Sequence, residues 1–518
     1  METKSLLKKF TVVLALLFGI IGMTNLSAQE FTDGDLNYRI NDDGVSVTVT
    51  GHVNGYDATG ELIIPESVNY GGNDYPVTII GEYAFDNCTG LTGNLVFPNS
   101  VTQIGARAFS LCSGFTGALV LENTINSIGP LAFWYCTGFT SLSIPNTVTL
   151  LEYEDPISYD VYCDFEGCSG LEEITVESGN PIYDSRNNSN AIIKTNTNEL
   201  VFGCKNTTIP NSVTSIIGRA FHYCSELHNI TIPASVINIG TNPFSFCGEL
   251  ETIIVEEGNA IYDSRNNCNA IIKSDNNALI TGCKNTIIPD NITSIGESAY
   301  AGCIGLTGSL IIPNSIIYIG HQAYFGCENL TGSLTIPNSV TSIGLQAFGC
   351  CYGLDGTLTI GNSVEYIHAY AFENCSGFTS VVTLATTPPE LYEDEWFGCT
   401  SFYGLSCTTL TVPCGCVPAY ENSLWHEQFT TILEDCSDVA ELDENLASVY
   451  PNPTSDIVKI EAENIQTISI YNMLGEMVFE SAASGNAFEY DFSNNESGVY
   501  LVRIETAQGV VTKRVTVM

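Results

Sequence analysis

Leu334-Thr335-Ile336-Pro337-Asn338-Ser339-Val340-Thr341-Ser342-Ile343-Gly344, with Ala347-Phe348 and Cys351 after it, has a close copy elsewhere in the chain. The copy is Leu95-Val96-Phe97-Pro98-Asn99-Ser100-Val101-Thr102-Gln103-Ile104-Gly105, followed by Ala108-Phe109 and Cys112. The Ile-Gly glycine returns at Gly81, Gly105 and Gly129, and again at Gly218, Gly240, Gly296, Gly320 and Gly344. Cysteines keep the same step at Cys88, Cys112 and Cys136, and at Cys303, Cys327, Cys351, Cys375 and Cys399. A period held this long signals a repeat architecture, in which each unit is one supersecondary element stacked on the next.

Within a unit, the alternation of L-x-I suits a short strand, and the proline that follows cannot donate to a continuing ladder. The S-V-T-x-I segment sends two more apolar side chains inward, and the glycine after it permits a bend that a Cβ obstructs. A-F-x-x-C has the length of one helical or 3-10 turn. No unit buries its Leu, Ile, Val and Phe alone, so stability comes from stacking. The reading is an α/β solenoid whose strands lie about 4.8 Å apart in a parallel sheet, with short helical or 3-10 turns between them.

The consensus L-x-I-P-x-S-V-T-x-I-G-x-x-A-F-x-x-C resembles the BspA-type leucine-rich repeats of bacterial surfaces, over about residues 60 to 435. The resemblance implies an N-terminal cap and first repeat strand at 29–80, where apolar and polar residues alternate around Val45, Val47 and Val49. It implies a repeat array over 81–435, closed by turns around Thr387-Pro388-Pro389, Thr411-Val412-Pro413 and Tyr420 to Trp425. Two longer units begin at Gly179-Asn180 and Gly258-Asn259, and each runs through Ile-Tyr-Asp-Ser-Arg-Asn-Asn to a Gly-Cys-Lys-Asn at 203–206 or 282–285. Their Asn-rich stretches suit Asx turns. A calcium loop is the alternative, but EF-hand acidic spacing is absent.

The chain's 518 residues exceed one ordinary core, and 44% hydrophobic against 14% charged residues argues against general disorder. Sixteen Lys and Arg face 58 Asp and Glu, a net charge of -42. Such a chain repels phosphate backbones and anionic membrane surfaces, so no nucleic acid partner is expected. The acidic residues read as a solvated exterior, with divalent-cation bridging the alternative. Lys8 and Lys9, the apolar run Phe10 to Gly22 and the small-residue end at Leu26-Ser27-Ala28 form a secretory signal peptide over 1–28. No other stretch is apolar for long enough to cross a bilayer, so no transmembrane span is expected in the mature chain.

An acidic linker at 436–447 precedes short alternating runs, Ile457 to Ile460, Thr467 to Tyr471, Glu476 to Phe479 and Val499 to Ile504, which imply a small all-β sandwich over 448–518. The pattern there is Tyr450-Pro451-Asn452-Pro453-Thr454, then Leu474-Gly475, then Gly498-Val499-Tyr500, with Lys513-Arg514 near the end. It is similar to the C-terminal sorting domain of type IX secretion. That similarity implies handling by the secretion machinery and a secreted or cell-surface location.

Twenty cysteines in an exported chain invite disulfides. Equivalent cysteines of stacked turns point the same way, however, which is the wrong geometry for a bond. They read as buried thiols. Cys163, Cys204, Cys283, Cys407, Cys414, Cys416 and Cys436 are better disulfide candidates. Zinc held by Cys407, Cys414, Cys416 and Cys436 with His426 nearby is the alternative, though the spacing fits no standard module. No metal or other cofactor is expected. No nucleophile elbow, HExxH or phosphate loop is present, and the six histidines form no cluster, so the chain is read as no enzyme.

The expected function is adhesin-like: a repeat surface attached to an extracellular protein or glycan of a host or community. BspA-like proteins are associated with such attachment. The alternatives are a structural surface layer and a glycan-binding accessory protein. Trp134, Tyr135, Tyr324 and Tyr352, beside the periodic aromatic and cysteine positions, are the candidate partner contacts.

Overall fold

The computed structural model describes residues 29–154, 161–394, 398–436, 447–472, 477–506 and 509–518. The signal peptide, most of the acidic linker and Gly475 lie outside the described residues. The described residues fall into two compact units. The first runs to Thr379 and takes in Pro389–Cys407, and the second comprises Ser380–Pro388 and the chain from Thr408.

The first unit opens with the antiparallel strands Glu30–Asp33, Leu36–Ile40 and Val47–His52. The third pairs in parallel with Asn73–Ile80, which pairs in parallel with Gln103–Ile104, and that with Ser127–Ile128. Val47 and Val49 are fully buried, while Val45 precedes the strand and is exposed. From here each repeat contributes three lines of backbone.

The L-x-I line forms parallel strands, as expected. Gly117–Val120, Phe139–Ile144 and Glu173–Val176 align Leu119 with Leu142 and Leu142 with Ile174, all buried. Leu334–Ile336 pairs with Thr357–Ile360 in the same way. The second line is a two-residue strand per unit: Ser294–Ile295, Tyr318–Ile319, Ser342–Ile343, Tyr366–Ile367 and Glu390–Leu391 pair in sequence, all parallel. At the Ile-Gly position the expected bend is not the reason for glycine. Gly105 and Gly129 lie outside the left-handed region, but a Cβ on them would stand 2.6 and 2.4 Å from a backbone nitrogen of the preceding turn.

The third line corrects the expected helical turn. A-F-x-x-C, with the residue before it, is a run of turns with two residues in the left-handed region, such as Arg107 (φ 51°) and Leu111 (φ 61°), or Gln346 (φ 51°) and Cys350 (φ 58°). The φ reversals turn alternate N–H groups toward the neighbouring unit. Arg107, Phe109 and Leu111 donate to the carbonyls of Pro130, Ala132 and Trp134 at 3.0, 2.8 and 2.7 Å, while Ala108, Ser110 and Cys112 bond back within the turn. A helix keeps its N–H groups to itself and leaves the neighbouring unit's carbonyls unpaired. Left-handed geometry costs about 1–2 kcal/mol per non-glycine residue, and the ladder of bonds between units offsets it.

Two side-chain ladders follow the same geometry. Phe85, Phe109, Phe133 and Phe165 stack at 5.3, 5.6 and 5.6 Å between ring centroids. A second stack runs through Tyr300, Tyr324, Phe348, Phe372 and Phe402 at 4.9 to 5.5 Å. Most of the periodic thiols donate to the carbonyl of the aromatic residue one unit back, as Cys112 does to Phe85, Cys136 to Phe109, Cys351 to Tyr324 and Cys375 to Phe348, at 2.9 to 3.2 Å, while Cys88 donates to Gly55 O. A cysteine here fills apolar volume and supplies a weak donor.

The buried-thiol reading therefore holds. Fourteen of the seventeen described thiols are buried, and only Cys350, Cys407 and Cys416 are half-buried. Cys163, Cys204 and Cys283 are buried thiols too, which corrects their place among the disulfide candidates. Burial pushes Cys88 up to about 11 and Cys168 and Cys303 up to about 12, so almost no thiolate exists at neutral pH. A thiol reagent is expected to titrate Cys350, Cys407 and Cys416 in the native protein and the buried fourteen only after denaturation. Cys399, whose side chain is outside the described residues, is removed by substitution first. Rapid reaction of many thiols in the native state would contradict the ladder.

The two longer units are antiparallel hairpins, Ala191–Lys194 with Glu199–Gly203 and Ala270–Lys273 with Ala278–Gly282. Their Asn residues make turns, as expected: Asn187, Asn188 and Asn190, like Asn266, Asn267 and Asn269, have φ between 50° and 60°. Asn180 donates to the carbonyls of Pro145 and Val148, and Asn259 to those of Pro233 and Val236. The carboxylates of Asp184 and Asp263 are each taken bidentately by Arg186 and Arg265.

In the second unit, strands Ser380–Thr383, Thr409–Pro413 and Thr431–Asp435 run parallel. Trp425 and Tyr420 are fully buried there, and Tyr420 donates to Ala385 O at 2.8 Å. Cys414 and Cys436 form a disulfide with Cα atoms 4.6 Å apart, and Cys407 and Cys416 remain thiols. Among the described residues, Cys414, Glu434 and Cys436 are the one group close enough to hold an ion. The disulfide engages both sulfurs, so the zinc alternative is set aside. Residues from Ala447 on form antiparallel strands in one hydrogen-bonded network, in which the sixteen-residue strand Ile457–Asn472 pairs with three others. Val458, Ile460, Ile468, Ile470, Val502 and Val515 are its core.

Candidate binding groove

The forward ladder reaches Asp164 and Glu166, whose carbonyls accept from Phe133 and Tyr135. It stops there: among the described residues, neither Phe165 nor Gly167 donates a backbone bond to a following unit. The next turn, Arg219 to His222, is joined by side chains instead. The Glu166 carboxylate accepts from Arg219 Nε and Nη2 at 3.1 and 2.6 Å and lies 2.9 Å from His222 Nδ1. Glu166 is 1% exposed and His222 5%. Burial raises the Glu166 carboxyl, but the hydrogen bonds of His222 and Arg219 outweigh it and hold the group below its usual value.

Asp164 has the opposite fate. Burial pushes its carboxyl well above the usual range, only partly opposed by the Leu131 N–H at 3.0 Å. A folded value above the unfolded one means that ionisation penalises the fold as pH rises past about 4. Asp164→Asn keeps an acceptor for Leu131 and removes the penalty. We expect it to stabilise the protein by roughly 1–3 kcal/mol at pH 7 and to bring no gain below about pH 4, read by denaturant unfolding at both pH values.

A cavity of about 680 Å³ opens in front of these charges. Its wall uses the left-handed residue two positions before the ring-stack Phe or Tyr of several units, whose side chain the φ reversal turns outward: Tyr83, Arg107, Leu131, Arg219, Asn242, Ser298 and Gln322. Trp134, Tyr153, Tyr162, Tyr223 and Phe246 complete the aromatic part. Arg219 lies 4.5 Å over the Tyr162 ring and Arg107 5.5 Å over Trp134. Beyond the groove the column continues as Gln322 donating to Gln346 and Gln346 to Glu373, both at 2.9 Å.

Of the expected contacts, Trp134 is on the groove wall, half-buried. Tyr135 is half-buried between Trp134 and Tyr223, with ring centroids at 4.5 and 4.7 Å. Tyr352 is 49% exposed and lies outside the groove. Tyr324 must be withdrawn: it is fully buried in the ring stack between Tyr300 and Phe348. Sequence reasoning missed Tyr83, Arg107, Tyr153, Tyr162 and Arg219. The one available signal was the residue before Ala-Phe, which changes character from unit to unit while its neighbours stay fixed.

In the sorting segment, Asn452 holds the last strand at two points, donating to Arg514 O at 2.5 Å and accepting from Thr516 N at 2.9 Å. Pro451 and Pro453, both exposed, flank it, while Gly498 starts a strand that pairs with the one bearing half-buried Lys513 and exposed Arg514.

The repeats match, in six copies over residues 73–180, 191–281 and 280–401, the family described as the BspA type leucine rich repeat region. The chain belongs to the BspA-type leucine-rich-repeat family. Residues 448–518 of this BspA-type protein match the secretion system C-terminal sorting domain, which sends it through type IX secretion to the cell surface or the extracellular space. A leucine rich cell surface protein from Faecalibacterium prausnitzii is 22% identical, with 80% of this chain and 97% of that one covered and a TM-score of 0.43. The pneumococcal vaccine antigen PcpA is 16% identical, with 79% and 99% covered and a TM-score of 0.35. The ulvan lyase NLR42 of Nonlabens ulvanivorans is 31% identical over 87 residues, which are 16% of this chain and 15% of the lyase. The chain thus spans about 15% of the length of the curated relative it matches. Leucine-rich-repeat families are generally non-enzymatic. No helix among the described residues is long and apolar enough to cross a membrane.

Proposed function

We propose that the mature chain is an adhesin-like surface protein that attaches to an extracellular macromolecule and catalyses no reaction. In this reading residues 29–80 cap the array, 81–435 form a solenoid, 436–447 link it to the tail, and 448–518 fold as a sandwich. The secretion machinery reads the tail through Pro451, Asn452, Pro453, Gly475, Gly498, Lys513 and Arg514. The observation that carries the attachment reading is a set of apolar residues at the outward position of L-x-I. Ile63, Val96, Ile287 and Ile311 are 66 to 81% exposed, and Val120 and Ile254 are 44 and 48%. A soluble chain this acidic gains nothing from aliphatic side chains repeated at one outward position unless something covers them. Trp134, Tyr135 and Tyr352 are further contacts in this reading.

The test is a binding screen of the purified mature protein against immobilised matrix and plasma proteins and a glycan panel. Saturable, salt-tolerant binding to one protein, lost in a Val96→Asp/Ile311→Asp double variant that melts like the parent, supports attachment. No binding, with oligomers growing in solution, supports a structural layer instead.

A further inference from the structure

We propose that the groove between Arg107 and Arg219 binds an anionic glycan segment, a sugar carrying a carboxylate or a sulfate ester. The inference rests on the reading of this chain as a surface binding protein and assigns one class of ligand to one site.

Charge is the first argument. In a chain with 58 Asp and Glu, the described residues of this groove's lining include none and have two arginines. Arg186, Lys194, Lys205, Arg219, Arg265 and Lys284 each hold a carboxylate at 2.6 to 2.8 Å. Arg107 has no ion pair among the described residues and lies over the Trp134 ring instead. A guanidinium stacked on an indole is held in position while its fork of donors stays available, which suits bidentate recognition of a carboxylate or sulfate.

The second argument is the polar lining. Asn242, Ser245 and Gln322 stand on the groove wall with amide and hydroxyl groups of the kind that pair with sugar hydroxyls.

The third is shape. Tyr83, Trp134, Tyr153 and Tyr162 line the groove with aromatic surface for the apolar side of a sugar, with a phenol hydroxyl on each tyrosine and an indole N–H on Trp134. The volume of about 680 Å³ falls inside the range of small-ligand sites. An acidic peptide supplies the charge but no ring of hydroxyls for the amide and hydroxyl side chains.

Calorimetric titration of the full mature protein with oligogalacturonate, dextran sulfate oligomers, neutral dextran and polyglutamate tests the proposal. We expect saturable binding of at least one acidic glycan, with the better of the two naming the anion, and none of dextran or polyglutamate. Arg107→Gln should weaken that binding about tenfold, the loss of one charge-assisted contact. Trp134→Ala should weaken it as much or more, and Lys273→Gln, which removes an equal charge elsewhere, should leave it unchanged. Should Trp134→Ala fail to fold, Arg107→Gln, which keeps its stem, decides alone. Equal binding of dextran or polyglutamate, an unaffected Arg107→Gln, or no binding of either acidic glycan overturns the proposal. A protein that binds a matrix protein but no acidic glycan refutes the groove assignment and leaves attachment standing; acidic-glycan binding weakened by Arg107→Gln supports both, and binding of neither fails both.

Discussion

Glu166→Ala is expected to lower the stability of the repeat region by about 3–5 kcal/mol, the usual cost of leaving buried charges unpaired. It should also split its melting into two steps. The physical reason lies in the missing backbone rungs after Phe165 and Gly167. Elsewhere successive third-line turns are tied by several backbone bonds, but here the turn at Arg219 meets the preceding third-line turn through the Glu166 carboxylate and the Tyr135–Tyr223 ring contact, with a single backbone bond, Gly203 N to Ala220 O, from the hairpin between them. The apolar core changes at about the same place, with one cluster running from Leu36 to Cys204 and a second from Ala191 to Cys283. Stability in a repeat array is a sum of unit terms and nearest-neighbour terms, so weakening one neighbour term uncouples the segments beside it. Differential scanning calorimetry should show the split, and hydrogen exchange should show residues 219–283 losing protection separately. A single transition at the parent temperature would refute the account. Acid should mimic the substitution. The Glu166 carboxyl is held below its unfolded value, so its contribution is complete above about pH 4.5 and disappears as pH falls through the lower folded value. Replacing Glu166, Arg219 and His222 together by apolar residues should restore much of the loss, because the desolvation penalty disappears with the charges.

Phe348→Ala is the second large effect, also about 3–5 kcal/mol. The ring is fully buried between Tyr324 and Phe372, at 5.3 and 5.5 Å from each and nearly parallel to both. Both neighbours are fixed by their own turns and cannot collapse into the space. The measurement is denaturant unfolding, with Phe348→Leu as an intermediate case. Tyr324→Phe, one position along the same stack, should act in the opposite direction. Its hydroxyl is buried without a hydrogen-bond partner, so removing it should stabilise the fold by about 1–2 kcal/mol. A binding defect from Tyr324→Phe would instead return this residue to the partner surface.

The period was legible because its markers, Gly105 with Gly129 and Cys112 with Cys136, keep one step and are explained by one geometry. The conformation of A-F-x-x-C was not, since the spacing of Phe109 and Cys112 is equally that of a helical turn. Only the demand of neighbouring carbonyls for donors decides against the helix. The buried junction was invisible for another reason. Arg219 and His222 stand 53 and 56 residues from Glu166, and nothing local distinguishes their charges from surface ones. Trp134 and Tyr324 looked alike as aromatics beside periodic positions. One follows the ring-stack residue Phe133 and reaches the groove, whereas the other occupies the stack position itself.

The direction of the third-line bonds has a consequence for how such a gene can change. Arg107, Phe109 and Leu111 give their donors forward, and their own unit receives those of Tyr83, Phe85 and Asn87. Every such unit therefore offers the same acceptors to the unit before it and the same donors to the unit after. Recombination that adds or deletes whole repeats rejoins matching faces, whereas an insertion of part of a repeat leaves a mismatched seam. An array built this way can lengthen or shorten by whole repeats without a new fold being required. The two hairpin units, alike from Asn180 to Asn206 and from Asn259 to Asn285, have the form that copying several repeats as a block would leave.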